Sequence, residues 1–269
     1  VVGHESEQVV AHLDEVAPWV ATVEQTQRNG TGHAVRVALE FLTGRGVATN
    51  EAPVVVLTGD TPLLTGESLV AMLMKHVESA ATATVLTADL DSPFGYGRVL
   101  RSSDRVVGIV EEKDATPQQR EISEINSGMY AFDGAALLDA ITGLNTNNSQ
   151  GEEYLTDVIE ILASRGDVVI GVGAHNTSDI LGINDRSQLA AAMAIMRDRI
   201  NDKWMKAGVT MLDPESTWID VDAELAPDVT LFPQTTVRGP TAIETGAQVG
   251  PGTTLISAEI GVNAIVRHT

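Results

Sequence analysis

Cysteine is absent from the 269 residues. Neither a disulfide nor a thiolate metal site is therefore available, and an intracellular, cytoplasmic setting is expected. Basic residues are scarce: 17 Lys and Arg stand against 37 Asp and Glu, a net charge of −20. That is a poor footprint for nucleic-acid binding, which asks for a basic stripe. It also means that a phosphate-bearing substrate needs a local cation to enter such a field. No apolar run reaches the length of a membrane span, and no signal-peptide pattern opens the chain. Neither end reads as finished. "VVGH" is the tail of a strand and "IVRHT" stops inside a repeating pattern, so the expectation is a fragment cut at both ends.

What is present is an ordinary apolar fraction, 43%, in a chain long enough for one large domain or two smaller ones. Up to about residue 186, helix-like and strand-like stretches alternate, which predicts an α/β domain with a mostly parallel sheet over 1–186. Val1–Val2 and Val20–Val23 read as strand pieces, and Glu5–Ala17, His33–Leu42, Glu67–Glu78 and Tyr154–Ser164 as helices. Val54–Thr58 is an uninterrupted apolar run of the kind buried on both faces of a parallel sheet. Thr84–Ala88, Ile125–Phe132 and Val168–Val172 read as further strands, and "RSSD" as the turn of a hairpin between Tyr96–Leu100 and Val106–Val110. Residues 187–207 read as one linker helix with Leu189, Met193, Met196, Ile200 and Trp204 on one stripe.

The period then changes. Ile219, Leu225, Leu231, Val237, Ile243, Val249 and Leu255 recur every six residues, Ile260 slips by one, and Val266 resumes the six. This is the hexapeptide repeat of a parallel β-helix, in which each six residues form one flat side of a triangular coil. It makes 208–269 a second domain, with the repeats amounting to fewer than three coils.

Several short motifs carry chemistry. In "QRNGTGHAV", Gly30-Thr31-Gly32 stands at a helix entrance, where glycines permit close backbone approach and free amides attract acceptors. A plain turn before a helix explains it as well. "LTGDTP" ends an apolar strand in Gly59-Asp60, where open α/β sheets place ligands; Asp60 is a metal-ligand candidate or the cap of a turn begun by Pro62. "FGYGRV" sets glycines and a tyrosine at a strand entrance, "IVEEKDA" ends a strand in Glu111 and Glu112, and "INSGMY" puts Asn126 where a strand starts. In "YLTDV" the Thr156-Asp157 pair reads as a helix cap, and in "GINDR" Asn184 does.

Taken together, "GTGHA", "GD", "GYGR", "IVEEKDAT", "INSG", "YLTD" and "GIND-R", with "AGVTMLDP" and the hexapeptide rows, resemble the bacterial bifunctional N-acetylglucosamine-1-phosphate uridylyltransferase / glucosamine-1-phosphate N-acetyltransferase. The resemblance covers essentially the whole chain. It implies a Rossmann-like nucleotidyltransferase domain followed by the start of a left-handed parallel β-helix that trimerises. It also implies synthesis of UDP-N-acetylglucosamine from UTP and N-acetylglucosamine 1-phosphate. In the parent protein, acetyl-CoA and glucosamine 1-phosphate would be the substrates of the second domain. By the same resemblance Gln25, Gly30 and Thr31 contact the uracil end, and Gly97, Glu111 and Asn126 hold the sugar. Asp60 and Asn184 bind Mg²⁺. The family's Gly-rich loop with its Arg and Lys does not occur in this sequence, and its acetyltransferase residues lie in later coils. No catalytic residue is therefore assigned, His268 receives no role, and the fragment alone is expected to be inactive. The alternatives are a sugar-1-phosphate nucleotidyltransferase of different specificity with a hexapeptide tail, and a non-catalytic trimer scaffold.

Overall fold

The computed structural model describes residues 1–267, so His268 lies outside the described residues. The chain divides into two compact units, Val1–Leu181 and Gly182–Thr269.

The first unit runs α1 (Ser6–Val16), α2 (Thr31–Gly44), β1 (Val54–Val56), α3 (Gly66–Glu78), β2 (Ala83–Asp89), β3 (Arg98–Ser102) and β4 (Arg105–Val110). It continues with α4 (Pro117–Arg120), β5 (Glu124–Phe132), α5 (Gly134–Ala140), α6 (Thr156–Ser164) and β6 (Val169–Gly173). The strands form one sheet in the order β4-β3-β5-β2-β6, with β1 also beside β5. Side chains alternate along β2. Ala83 and Val85 join a core with Tyr130, Phe132, Leu137, Val158 and Leu162, whereas Leu86 and Ala88 join Met72, Ile125, Met129 and Ala131 on the opposite face. Helices thus cover both faces, as an α/β layer architecture requires.

The sheet corrects the expectation of a mostly parallel one. β2 and β6 pair in parallel, but β5 runs antiparallel to β1, β2 and β3, and β4 antiparallel to β3. β1, β2, β3 and β6 share a direction, and β5 is inserted against it. Local sequence pattern gives an apolar run no direction, so the reversal is invisible at that level. β1 is also less buried than its apolar run suggests. Val54, Val55 and Val56 are half-buried and Leu57 is exposed, because among the described residues β1 pairs with β5 alone. Val20–Val23 forms no strand; Glu24, just beyond it, makes an isolated parallel bridge with Val2. The hairpin at "RSSD" is present, with Ser102 opposite Arg105 and Ser103 at φ 55° in the turn.

The second unit is α7 (Arg186–Lys206) followed by a solenoid of short parallel strands from Thr210 to Val266, stacked in three sheets. Every aliphatic of the six-residue rows lies in a strand, and those from Ile219 to Leu255 are buried inside the coil. Leu231 pairs with Val249 and Val237 with Leu255, eighteen residues apart. After the slip, Ile243 meets Ile260 and Val249 meets Val266 at seventeen. The coil begins earlier than the rows show. Met211 already pairs with Leu231, out of the sixfold register because Pro214–Ser216 turns as a short 3₁₀ helix.

α7 packs on this solenoid through Ile200 and Trp204. Asn201, buried, donates from Nδ2 to the carbonyls of Pro214 (2.8 Å) and Thr217 (3.0 Å). The stripe read along the helix is only partly used: Leu189 and Met193, in its first half, are exposed.

Candidate functional site

One edge of β5 carries two strands with a gap between them. β1 ends at Val56 opposite Tyr130, and β3 begins at Arg98 opposite Ile125. On the other edge the same stretch bulges, because the step from Asn126 to Tyr130 is matched on β2 only by Val85 to Thr87. Ser127 fills the bulge, donating from Oγ to the Leu86 carbonyl (2.7 Å) and accepting the Met129 amide (3.1 Å). A bulge re-aims side chains beside it. Here it makes Asn126 and Tyr130 neighbours on one sheet face.

Three predicted residues meet in this gap. The carbonyl of buried Gly97 accepts the Asn126 amide at 2.9 Å. A Cβ placed on Gly97 would stand 3.4 Å from Oε2 of Glu111, at the end of β4. Asn126 Oδ1 accepts the Gly128 amide at 3.0 Å, and the buried Tyr130 phenol lies beside the Asn126 side chain. Burial, with Glu111 nearby, pushes the Tyr130 phenol well above its ordinary range. Gly128 admits the chain beyond β1: its φ is 79°, and a Cβ there would come 2.8 Å from Thr58 Cγ2.

Burial raises the Glu111 carboxyl above the usual carboxylate range; the Thr156 hydroxyl, which donates to Oε1 over 3.2 Å, opposes this, and Asp114 and Asp157 add to it. This overturns the cap reading of Thr156. α6 is preceded by Leu155 without a side-chain cap, and Thr156 faces Glu111 instead. The reading of Asn184 as a cap fails too. In the second unit Asp185 caps α7, accepting the Gln188 amide at 2.8 Å, while the Asn184 amide donates to Gln188 Oε1.

The Gly-Thr-Gly turn proves to hold its own chain. Gly30 precedes α2 at φ 102°, and a Cβ there would lie 2.5 Å from the Glu153 carbonyl. The Gly32 amide donates to that carbonyl at 2.8 Å, and Thr31 Oγ1 accepts the Leu155 amide at 3.1 Å. Arg36 pairs with Glu153 one turn along. Gln25 Nε2 donates to the Gly30 carbonyl at 3.1 Å and meets His33 Nδ1 at 2.9 Å. Gln25, Gly30 and Thr31 therefore form a second group. It joins the first through the consecutive residues Leu155 and Thr156.

Asp60 stands apart from both groups. It is exposed, two residues beyond Thr58, with no hydrogen bond or ion pair among the described residues. It is not a cap: Pro62 begins no helix, and the turn is braced by Thr58 and Thr61, whose hydroxyls lie 3.0 Å apart. Among the described residues no group of three or more His, Asp or Glu is arranged to hold a metal ion. A cavity of about 840 Å³ is lined by Glu111 together with Asp114, Tyr154, Asp157 and Glu160 among others. Its lining includes none of the other predicted site residues and its acidity repels phosphate, so the strand gap, not the cavity, is the candidate site.

The family model for nucleotidyl transferases matches residues 2–221. The chain belongs to the nucleotidyl transferase family. Within that family it is similar over its whole length to proteins named "Bifunctional protein GlmU". It is 45% identical to that of Thermobifida fusca and 48% identical to that of Streptomyces coelicolor, covering 56% and 55% of those relatives. It is also 48% identical to that of Cutibacterium acnes, covering 65%. The chain thus spans about half the length of the first two of these curated relatives. Among the described residues no helix is long and apolar enough to cross a membrane. Sequence reading missed the parts played by Thr156, Tyr130, Arg98 and Glu112. The signal for Arg98 was a cation at the buried start of a strand, directly before Val99 and Leu100.

Proposed function

We propose that this chain is the nucleotidyltransferase portion of an enzyme that transfers uridylyl from UTP to N-acetylglucosamine 1-phosphate, releasing pyrophosphate. The observation that carries the reading is the convergence of Gly97, Glu111 and Asn126 in the strand gap, within a member of the nucleotidyl transferase family. A carboxylate, a carboxamide and a glycine backbone offer acceptors and donors for sugar hydroxyls and an acetamido group without adding bulk. Gln25, Gly30 and Thr31 supply the uracil side. A sugar-phosphate oxygen attacks the α-phosphorus and pyrophosphate leaves in line, a step that needs positioning and charge neutralisation more than covalent help.

Asp60 suits a hard divalent cation, because its carboxylate is exposed and unengaged. Few protein ligands gather around it, which fits Mg²⁺, an ion that keeps waters and takes substrate phosphates as ligands. Bound there, Mg²⁺ would supply the positive charge that a chain of net charge −20 lacks. In the longer protein, the solenoid would begin an acetyl-CoA-dependent N-acetyltransferase domain and provide its trimer contact.

The deciding experiment is a pyrophosphate-release assay on the longer protein, with each of the four nucleoside triphosphates paired with N-acetylglucosamine 1-phosphate and with glucose 1-phosphate. It is run beside calorimetric titration of the same ligands into the chain. UTP with N-acetylglucosamine 1-phosphate should be the preferred pair. Preference for glucose 1-phosphate with another nucleotide would replace this reading by the rival nucleotidyltransferase.

A further inference from the structure

We infer that Glu112 is a positioning residue for the sugar-phosphate side of the site, holding Gly97 and Glu111 in register through the Arg98 guanidinium. The inference rests on the uridylyl-transfer reading given above. The Arg98 side chain is 2% exposed and its Nη2 donates to Glu112 Oε2 over 2.7 Å. Nη1 donates to the Tyr96 carbonyl. The same Glu112 Oε2 accepts the Gly95 amide at 3.4 Å. From the other side, Arg120 Nε stands 3.6 Å from Glu112 Oε1, and its Nη2 donates to the Glu112 carbonyl at 3.2 Å. One carboxylate therefore gathers the 93–97 loop, the first residue of β3 and the end of α4.

The placement is what gives this hub a functional reading. Arg98 follows Gly97, and Glu112 follows Glu111, so the ion pair joins the two residues immediately behind two sugar-side groups. The loop it restrains is intrinsically loose: Gly95 has φ 89° and Phe94 is 81% exposed. Apart from the Glu112 contacts, the hydrogen bond that fixes Gly97 comes from the Asn126 amide. A hydrophobic pair in the place of Arg98 and Glu112 would avoid the desolvation of a buried guanidinium whose Nε has no partner among the described residues. It would not, however, collect the Gly95 amide or set the spacing of the two strands' ends. An Arg–carboxylate pair carries directional bonds, and small misplacements of substrate-holding groups are costly.

The test compares wild type with Glu112→Gln and Arg98→Lys, which keep size while removing the charge or the guanidinium fork. Two readouts are taken: hydrogen exchange of the Gly95–Gly97 amides, and calorimetric affinities for N-acetylglucosamine 1-phosphate and for UTP with Mg²⁺. In both variants those amides should exchange about tenfold faster while the β2 and β5 amides do not. Affinity for the sugar phosphate should fall roughly tenfold, and that for UTP should stay within about twofold. Unchanged sugar-phosphate affinity, or exchange accelerated across β2 and β5 in both variants, would overturn the inference in favour of a purely structural pair. A wild type that ignores N-acetylglucosamine 1-phosphate would instead sink the uridylyl-transfer reading, leaving the exchange measurement to judge the hub.

Discussion

Thr156 donates its hydroxyl to Glu111 across 3.2 Å, and it is the one neighbour that favours the charged carboxylate against burial, Asp114 and Asp157. A carboxyl whose folded pKa is raised stabilises the fold most fully when protonated, below its unfolded value. That contribution is lost as pH rises through the folded pKa. Above the folded pKa the ionised Glu111 is therefore a cost to the fold. Glu111→Gln should raise the thermal midpoint by roughly 2–4 °C, the shift that about 1 kcal/mol gives a unit of this size. The same substitution should weaken N-acetylglucosamine 1-phosphate binding about tenfold or more, by removing a charged acceptor. A variant that is no more stable, and binds the sugar phosphate as before, would place Glu111 outside the site.

His76 presents the opposite sign. It is buried on α3, with Nδ1 2.9 Å from the Thr84 hydroxyl, and burial lowers its pKa below 6.5 against the pull of Asp133. The unfolded chain then takes up the proton first, so stability is held above about pH 6.5 and lost as pH falls through the folded pKa. Urea unfolding at about pH 7.5 and about pH 5.5 should show this loss, with a slope from this group of at most about 1.4 kcal/mol per pH unit. In His76→Leu the difference between the two conditions should shrink. An unchanged difference would assign the acid sensitivity elsewhere.

The solenoid was the most legible part of the chain, because its coil fixes both burial and spacing. Ile219 to Leu255 had to recur at the length of one flat side, and even the slip at Ile260 survives as the seventeen-residue pairing of Ile243. Most helices and strands of the first unit were legible from period, but Val20–Val23 forms no strand and α5 was not foreseen. The reversed insertion of β5 was not, since strand direction is decided by partners distant in sequence. Gly97, Glu111 and Asn126 were named as sugar-holding candidates through a family likeness. Their meeting depends on the gap between β1 and β3 and on the two-residue bulge, neither of which has a local signature. Thr156 and Asn184 failed as caps for a related reason. Cap propensity describes a residue type, whereas Glu111 and Asp185 were the groups actually within reach.

Gly30 tests the closure of the Gly-Thr-Gly turn on its own chain. Its φ of 102° is strained for any side chain, and a Cβ would lie 2.5 Å from the Glu153 carbonyl, which is backbone and has little freedom to yield. Gly30→Ala should destabilise the first unit by about 2 kcal/mol or more. It should also accelerate exchange of the Gly32 and Leu155 amides before that of β5. Retention of full stability, measured by urea unfolding, would mean that the 152–155 segment moves freely away from the turn.

Asp60 separates a functional carboxylate from a structural one most cleanly. It makes no hydrogen bond or ion pair among the described residues, and the turn it sits in is braced by Thr58 and Thr61. Removing its charge therefore takes nothing from the fold, and Asp60→Asn should change unfolding free energy by no more than about 0.5 kcal/mol. A cation held there would lose its one anionic protein ligand of this loop, so UTP affinity measured with Mg²⁺ should fall at least roughly tenfold. With the metal chelated, wild type should bind UTP no better than the variant, because the carboxylate itself repels phosphate. The informative quantity is thus the Mg²⁺-dependent gain in affinity, large in wild type and small in the variant. An equal gain in both proteins would remove Asp60 from the metal site. A loss of stability accompanying it would return the residue to the structural role that its exposed and unpartnered carboxylate argues against.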